Sequence, residues 1–277
     1  MSRRSSSSVL EAAIGETFTA LALVLDRTHR ILIETKEGAE PMLPRVRAGL
    51  NEPPLAALAR HMRDTHGVEL GSPCGARPRG GVARVLAFVV PHASTMGSAR
   101  WVTLRELSKA TPDAEIAWRL YVDLMLAGWS PPTRELDVFM FGDSPQMASL
   151  LAHMVARGDK RATAGWCAAA ERAGETIPWP GLVSVVTDGF GMPICAIETE
   201  RVDRIRFADI DEDVAFAEGE GDRTLEDWRE GHRRYFEREA KRLDLTFDDD
   251  AELFVERFRL LRVLGRSPDG GPPPSVR

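Results

Sequence analysis

Two α+β domains in series are the architecture this sequence predicts, and three observations carry that prediction. A chain of 277 residues is comfortable for two cores and long for one. Each half alternates strand-like with helix-like segments. Between the halves lies Trp129-Ser130-Pro131-Pro132-Thr133, whose proline pair disfavours a helix running across the join. The expected limits are a disordered lead-in over 1–14, a first domain over 15–129 and a linker over 130–137. A second domain follows over 138–264, then a Gly/Pro-rich disordered tail over 265–277.

In the first half, Phe18–Leu25 and Ile31–Glu34 are expected as strands around the turn Asp26-Arg27-Thr28-His29. A loop from Pro41 to Leu50 leads to a helix over Pro53–His66. Leu55, Leu58, Ala59 and Met62 share one of its faces, and Gly67 is its stop. Gly71–Gly81 is expected as a Gly/Pro/Arg loop, Val82–Val90 as a buried strand and Arg100–Thr103 as a shorter one. The amphipathic segment Glu115–Ala127 closes this half.

The second half opens on a helix over Ser144–Arg157. Met147, Leu150, Leu151, Met154 and Val155 recur at helical spacing; Ser144 suits the N-cap, Pro145 the first turn and Gly158 a left-handed stop. Strands are expected at Leu182–Thr187 and Ile194–Thr199, joined through Asp188-Gly189-Phe190-Gly191, with Arg201–Phe207 as a third. Thr224, with Asp227 three residues on, begins a long helix bearing Leu225, Trp228, Tyr235, Phe236 and Leu243. Phe254–Leu264 is expected as the closing strand.

Composition narrows the function. No apolar run is long enough for a membrane span. Three widely spaced cysteines, Cys74, Cys167 and Cys195, fit reduced thiols in a cytoplasmic protein and offer no zinc-ligand spacing. The 36 basic and 42 acidic residues are unevenly shared, the acidic excess lying entirely after residue 130. So acidic a surface is poorly suited to gripping a long phosphate backbone. A small ligand beside the local basic group Arg157, Lys160 and Arg161 remains compatible with it.

Two sets of motifs resemble known families. Val46, Glu52 and the run Arg60-His61-Met62-Arg63-Asp64-Thr65-His66-Gly67-Val68 resemble the Nudix box. Glu52, Arg60, Gly67 and Val68 match it, while His61, Asp64 and Thr65 stand where the box has glutamates. The stretch Arg100-Trp101-Val102-Thr103-Leu104-Arg105-Glu106-Leu107 is similar to one found late in Nudix domains. The resemblance implies an α/β/α sandwich. Its magnesium chemistry needs a cluster of carboxylates on one helix face, which Asp64 alone does not supply, so the expected reading is a degenerate, inactive domain.

In the second half, Phe141-Gly142-Asp143-Ser144-Pro145, Gly158-x-Lys160-x-x-Thr163, Pro193-Ile194-Cys195-Ala196-Ile197-Glu198-Thr199 and Ala217–Trp228 occur in the order seen in the ASCH family, which they resemble. That resemblance implies a PUA-like β-barrel with flanking helices. Some ASCH proteins remove the acyl group from N(4)-acetylcytidine, and others are linked to RNA. By the motif, Lys160 is the expected base, Thr163 the nucleophile and Glu220 the acid, with Glu218 as fallback. Arg157, Arg161, Trp166 and Glu218 are the expected substrate-binding residues; no metal and no cofactor is expected. Lys160 serves as base only if its surroundings, Arg157 and Arg161 among them, lower its pKa from about 10.4.

The leading expectation is therefore a hydrolase of the exocyclic amide of acylated cytidine nucleosides. The first alternative is a non-catalytic module that recognises RNA or a modified nucleotide through the same pocket, and the second is residual Nudix hydrolysis. Plainer roles are available for each residue: a lysine decorating a helix end, a strand threonine, a solvated acidic loop over Asp209 to Glu220, and tryptophans in a core.

Overall fold

The computed structural model describes residues 19–49, 52–79, 82–90 and 95–264. The lead-in over 1–14 and the tail over 265–277 lie outside them. The chain divides into two compact units between Ser130 and Pro131, with Phe190–Met192 grouped with the first. Both are mixed α+β, each built on its own sheet.

The first unit holds β1 (Thr19–Leu25), β2 (Ile31–Glu34), β3 (Arg45–Arg47), β4 (Gly75–Arg79), β5 (Val82–Val89) and β6 (Ala99–Val102), with helices α1 (Pro54–His66), α2 (Leu107–Ala110) and α3 (Ala114–Leu124). Its sheet runs β4-β5-β1-β2-β6, with β3 paired to β1; β1 and β5 are parallel and the other pairs antiparallel. From Ala20 onward β1 is buried at every position, as a strand covered on both faces must be. Leu58 and Met62 of α1 pack on Ala20, Ala22 and Val24, burying the apolar stripe read from the sequence. Gly67 closes α1 at φ 66°, a conformation glycine reaches without a Cβ penalty.

Strands β3 and β4 fall in stretches expected as loops. The three residues of β3 are too few for a period, and the Gly and Pro of β4 hide its pairing with β5. Helix α3 stops at Leu124, three residues before the expected end, and Ala127 takes a positive φ.

The second unit holds β7 (Leu136–Phe139), α4 (Pro145–Arg157), β8 (Ala162–Trp166), α5 (Cys167–Ala173), β9 (Val183–Thr187), β10 (Pro193–Arg206), α6 (Glu212–Glu218), α7 (Leu225–Leu243) and β11 (Glu252–Val263). Its sheet runs β7-β9-β10-β11-β8, with only β7–β9 parallel. Among the described residues the two end strands, β7 and β8, are not paired with each other, so the barrel expectation takes the form of a five-strand ladder. Register shifts at Ala196/Ile197 and Thr199/Arg201 give the long β10–β11 pair its local twist. Helix α4 covers one apolar cluster, with Leu151 and Val155 against Val186, Ile197 and Phe258. A second cluster gathers Trp166, Phe207, Trp228, Phe236 and Leu253.

Here too the structure amends the sequence reading. β7 begins at Leu136, inside the stretch read as linker. The strands expected at Ile194–Thr199 and Arg201–Phe207 are one continuous β10. The acidic stretch Asp209 to Glu220 is not simply a solvated loop. Val214, Ala215 and Ala217 bury one side of α6, and Asp211 caps it by accepting from Val214 N–H.

Candidate active site

Ser144 caps α4 by accepting from the Met147 N–H at 3.2 Å, and Gly158 ends it at φ 80°. Two residues later the chain turns into β8, and this turn carries Lys160. Opposite it, α6 ends at Glu218-Gly219-Glu220-Gly221. The two segments are joined by their backbones, Arg161 N–H donating to Ala217 C=O at 2.8 Å. Gly219 has φ 73°, and a Cβ built there lies 2.1 Å from the Asp159 carbonyl oxygen. Only glycine permits that approach, which sets the flanking glutamates on either side of the lysine.

Lys160 is fully buried, and its Nζ donates to Glu218 Oε2 at 2.8 Å and to Glu220 Oε1 at 2.6 Å. The Phe141 ring lies 5.4 Å from the ammonium, close enough for a cation–π contact. The two carboxylates differ. Glu218 is fully buried and further engaged, its Oε1 accepting from Trp228 Nε1 at 3.0 Å and facing His232 Nε2 at 3.5 Å. Glu220 keeps 31 % of its side chain exposed and is the open side of the cluster.

The electrostatics follow from these contacts. Burial pulls the Lys160 pKa down, but the charges and hydrogen bonds of Glu218 and Glu220 outweigh it and raise the pKa. Burial pushes Glu218 up, and the charges of Lys160 and then His232 bring it well below the ordinary carboxylate range. His232 stacks on Trp228 with centroids 3.9 Å apart, and its Nδ1 lies 3.0 Å from the Trp228 carbonyl oxygen. A carbonyl only accepts, so Nδ1 carries a proton, and Nε2 donates toward Glu218 only when the ring is an imidazolium. Burial lowers the His232 pKa, and the Glu218 charge more than reverses this, raising it.

Thr163 lies on β8 directly opposite Glu256 of β11, so the two side chains share a face. Glu256 is buried and accepts from Thr199 Oγ1 at 2.5 Å; burial is the main reason its pKa is raised, with Lys160 close enough to pull it partly back. Thr163 is half-buried and, among the described residues, makes no side-chain hydrogen bond to Lys160.

The structure thus joins Lys160 directly to both Glu218 and Glu220. The side chains of Arg157, Arg161 and Trp166 do not join this cluster. Arg157 and Arg161 are exposed, and Arg157 pairs with Asp159 at 2.9 Å, so their charges do not lower the lysine pKa. Trp166 is buried against Phe236 and Phe247, in the core rather than at a ligand face. The sequence reading took Trp228 as part of an apolar face and placed neither His232 nor Glu256 at the site. The i, i+4 spacing of Trp228 and His232 was one available signal.

In the first unit Glu52 and Arg60 of the Nudix-like box pair with each other, at 2.9 and 3.0 Å from Arg60 Nη2. Asp64 and Thr65 are exposed and His61 is half-buried. Two of the three box glutamates are replaced by an imidazole and a hydroxyl, so the residues present do not fit the magnesium that the resemblance implies.

A family model described as "ASCH domain" matches residues 137–262. A solved ASCH domain from Lactobacillus crispatus JV V101 is 32% identical, over 52% of this chain and 93% of that one, with a TM-score of 0.47. A protein from Enterococcus faecalis V583 with the family model DUF984 is 29% identical over 54% and 88%, with a TM-score of 0.46. A hydrolase of the Nudix family from Clostridium perfringens is 13% identical over 40% and 97%, with a TM-score of 0.32. No curated protein matches the chain. Among the described residues no helix is long and apolar enough to cross a membrane.

Proposed function

The chain belongs to the ASCH domain family through residues 137–262, and on that premise we propose that its second unit hydrolyses the exocyclic amide of an acylated cytidine-like nucleoside. The observation that carries this reading is the fully buried Lys160 ammonium bonded to one closed and one half-open carboxylate. A buried ion cluster contributes little to stability compared with apolar packing, so its presence favours a role in chemistry. The raised pKa of Lys160 changes the expected division of labour. Lys160 acts as a fixed cation for the charge that develops on the amide oxygen. Thr163 attacks the acyl carbon, and its proton passes to the Lys160–Glu220 pair. The same pair returns a proton to the departing amine, and water then releases the acyl group from Thr163.

Incubating the purified chain with a panel of acylated nucleosides, with products read by mass spectrometry, tests the proposal. Free cytidine and the matching carboxylic acid are the expected products. A panel left intact by a folded protein would remove the enzyme reading.

One observation favours a second reading. A lysine whose charge is this well held offers no free base, which suits a module that only recognises a modified nucleotide or a short RNA segment. In that case the same nucleosides bind and are recovered unchanged.

A further inference from the structure

The first unit carries a buried cluster that the Nudix-like box does not account for. Glu34 ends β2, His61 lies in the last two turns of α1, and His66 is its last residue. Both imidazoles direct Nε2 at the same carboxylate oxygen, Glu34 Oε1, at 2.6 Å from His61 and 2.7 Å from His66. Glu34 and His66 are buried, and His61 keeps 17 % of its side chain exposed, leaving the cluster one side open.

The far nitrogens are also held. His61 Nδ1 lies 3.3 Å from Thr65 Oγ1, and His66 Nδ1 lies 3.4 Å from the Met96 carbonyl oxygen. A carbonyl only accepts, so this contact is favourable when His66 Nδ1 carries the proton. In the neutral ring Nε2 then presents a lone pair to a carboxylate oxygen, an arrangement that an ion between them relieves. A ligating histidine whose second nitrogen donates to a carbonyl is the usual outer-shell arrangement around a bound metal.

We propose that Glu34, His61 and His66 bind a divalent transition ion of the zinc type. The three ligand atoms all lie within 4.8 Å of one another. Around a tetrahedral ion with bonds of about 2.0–2.1 Å, ligand atoms sit roughly 3.3 Å apart. The two carboxylate–imidazole distances, 2.6 and 2.7 Å, therefore open by less than about 1 Å to take the ion. Two imidazoles with one carboxylate suit zinc, cobalt or nickel and are a poor set for magnesium, which takes oxygen ligands. Three protein ligands leave a fourth position open, toward the exposed edge of His61.

The test uses untagged full-length protein stripped with a chelator and titrated with cobalt(II), followed by its visible d–d absorption. One equivalent per chain, displaced by zinc and not by excess magnesium, is expected. His61→Gln, at the half-open position, should weaken binding at least tenfold while the thermal melt of the metal-free protein stays close to wild type. Asp64→Asn, one turn away and exposed, should bind as wild type does. Wild-type protein without d–d bands, or His61→Gln and His66→Gln variants that keep the wild-type affinity, would overturn the site.

Discussion

Each unit buries a glutamate, Glu218 at the end of a helix and Glu34 at the end of a strand, and the two are held by different partners. Glu218 in the second unit meets an ammonium at Oε2, and an indole N–H and an imidazole at Oε1. Glu34 in the first unit meets two imidazoles on one oxygen. A lysine between carboxylates is a lasting cation, so the Glu218 cluster is complete without a ligand. Imidazoles offer lone pairs, so the Glu34 cluster gains from an ion. The difference separates the site proposed to stabilise charge from the one proposed to coordinate an ion.

The largest expected effect comes from removing the lasting cation. Lys160→Met leaves Glu218 buried without its main partner and should destabilise the second unit by about 3–5 kcal/mol. Urea unfolding measures it, and a loss under 1 kcal/mol would mean that water reaches Glu218 freely. Next is Gly219→Ala. Its Cβ meets the Asp159 carbonyl oxygen at 2.1 Å and the backbone is at φ 73°, so a loss of about 2–4 kcal/mol is expected from overpacking and strain. Among the described residues no equivalent glycine packs against Glu34, which ends strand β2.

A smaller effect depends on pH. The folded-state pKa of His232 is raised, so its pairing with Glu218 stabilises fully below the unfolded value of about 6.5 and is lost as pH rises through the folded value. Glu218 is lowered, so its contribution is present above the unfolded value of about 4.3 and is lost as pH falls through the folded one. The stability difference between wild type and His232→Gln, on the order of 1 kcal/mol, should therefore shrink from pH 6 toward pH 9. A difference that grows with pH would mean that the ring is buried neutral. Smallest of all is Asp64→Ala, which should change stability by less than about 0.5 kcal/mol. A larger loss in chemical denaturation would give Asp64 a partner that its exposure does not suggest.

How much of this was legible in the sequence depends on how local each signal is. Helices α1, α4 and α7 were readable because an apolar stripe coincides in one segment with a stop at Gly67, with both a cap and a stop at Ser144 and Gly158, and with a cap at Thr224. The Thr224 cap, for example, accepts from the Asp227 N–H at 3.2 Å. Strands β3, β7 and β8 were not, since three to five residues carry no decisive period and their pairing is set by distant partners. The Lys160 cluster was visible through motif order, but not that both glutamates grip the lysine, which depends on α6 packing and on Gly219. Glu34, His61 and His66 were invisible as a set. Two lie on one helix and the third on a strand far upstream, and no spacing rule connects them.

Whether the Lys160–Glu220 pair and Thr163 cleave an amide is tested by one side-by-side measurement. Wild type and Thr163→Val, both checked for folding, are incubated with N(4)-acetylcytidine, and cytidine release is followed by mass spectrometry alongside binding by calorimetry. Wild type is expected to bind N(4)-acetylcytidine and release cytidine, and Thr163→Val to bind with similar affinity and release none. Binding by wild type without any cytidine, or equal release by both proteins, would contradict it.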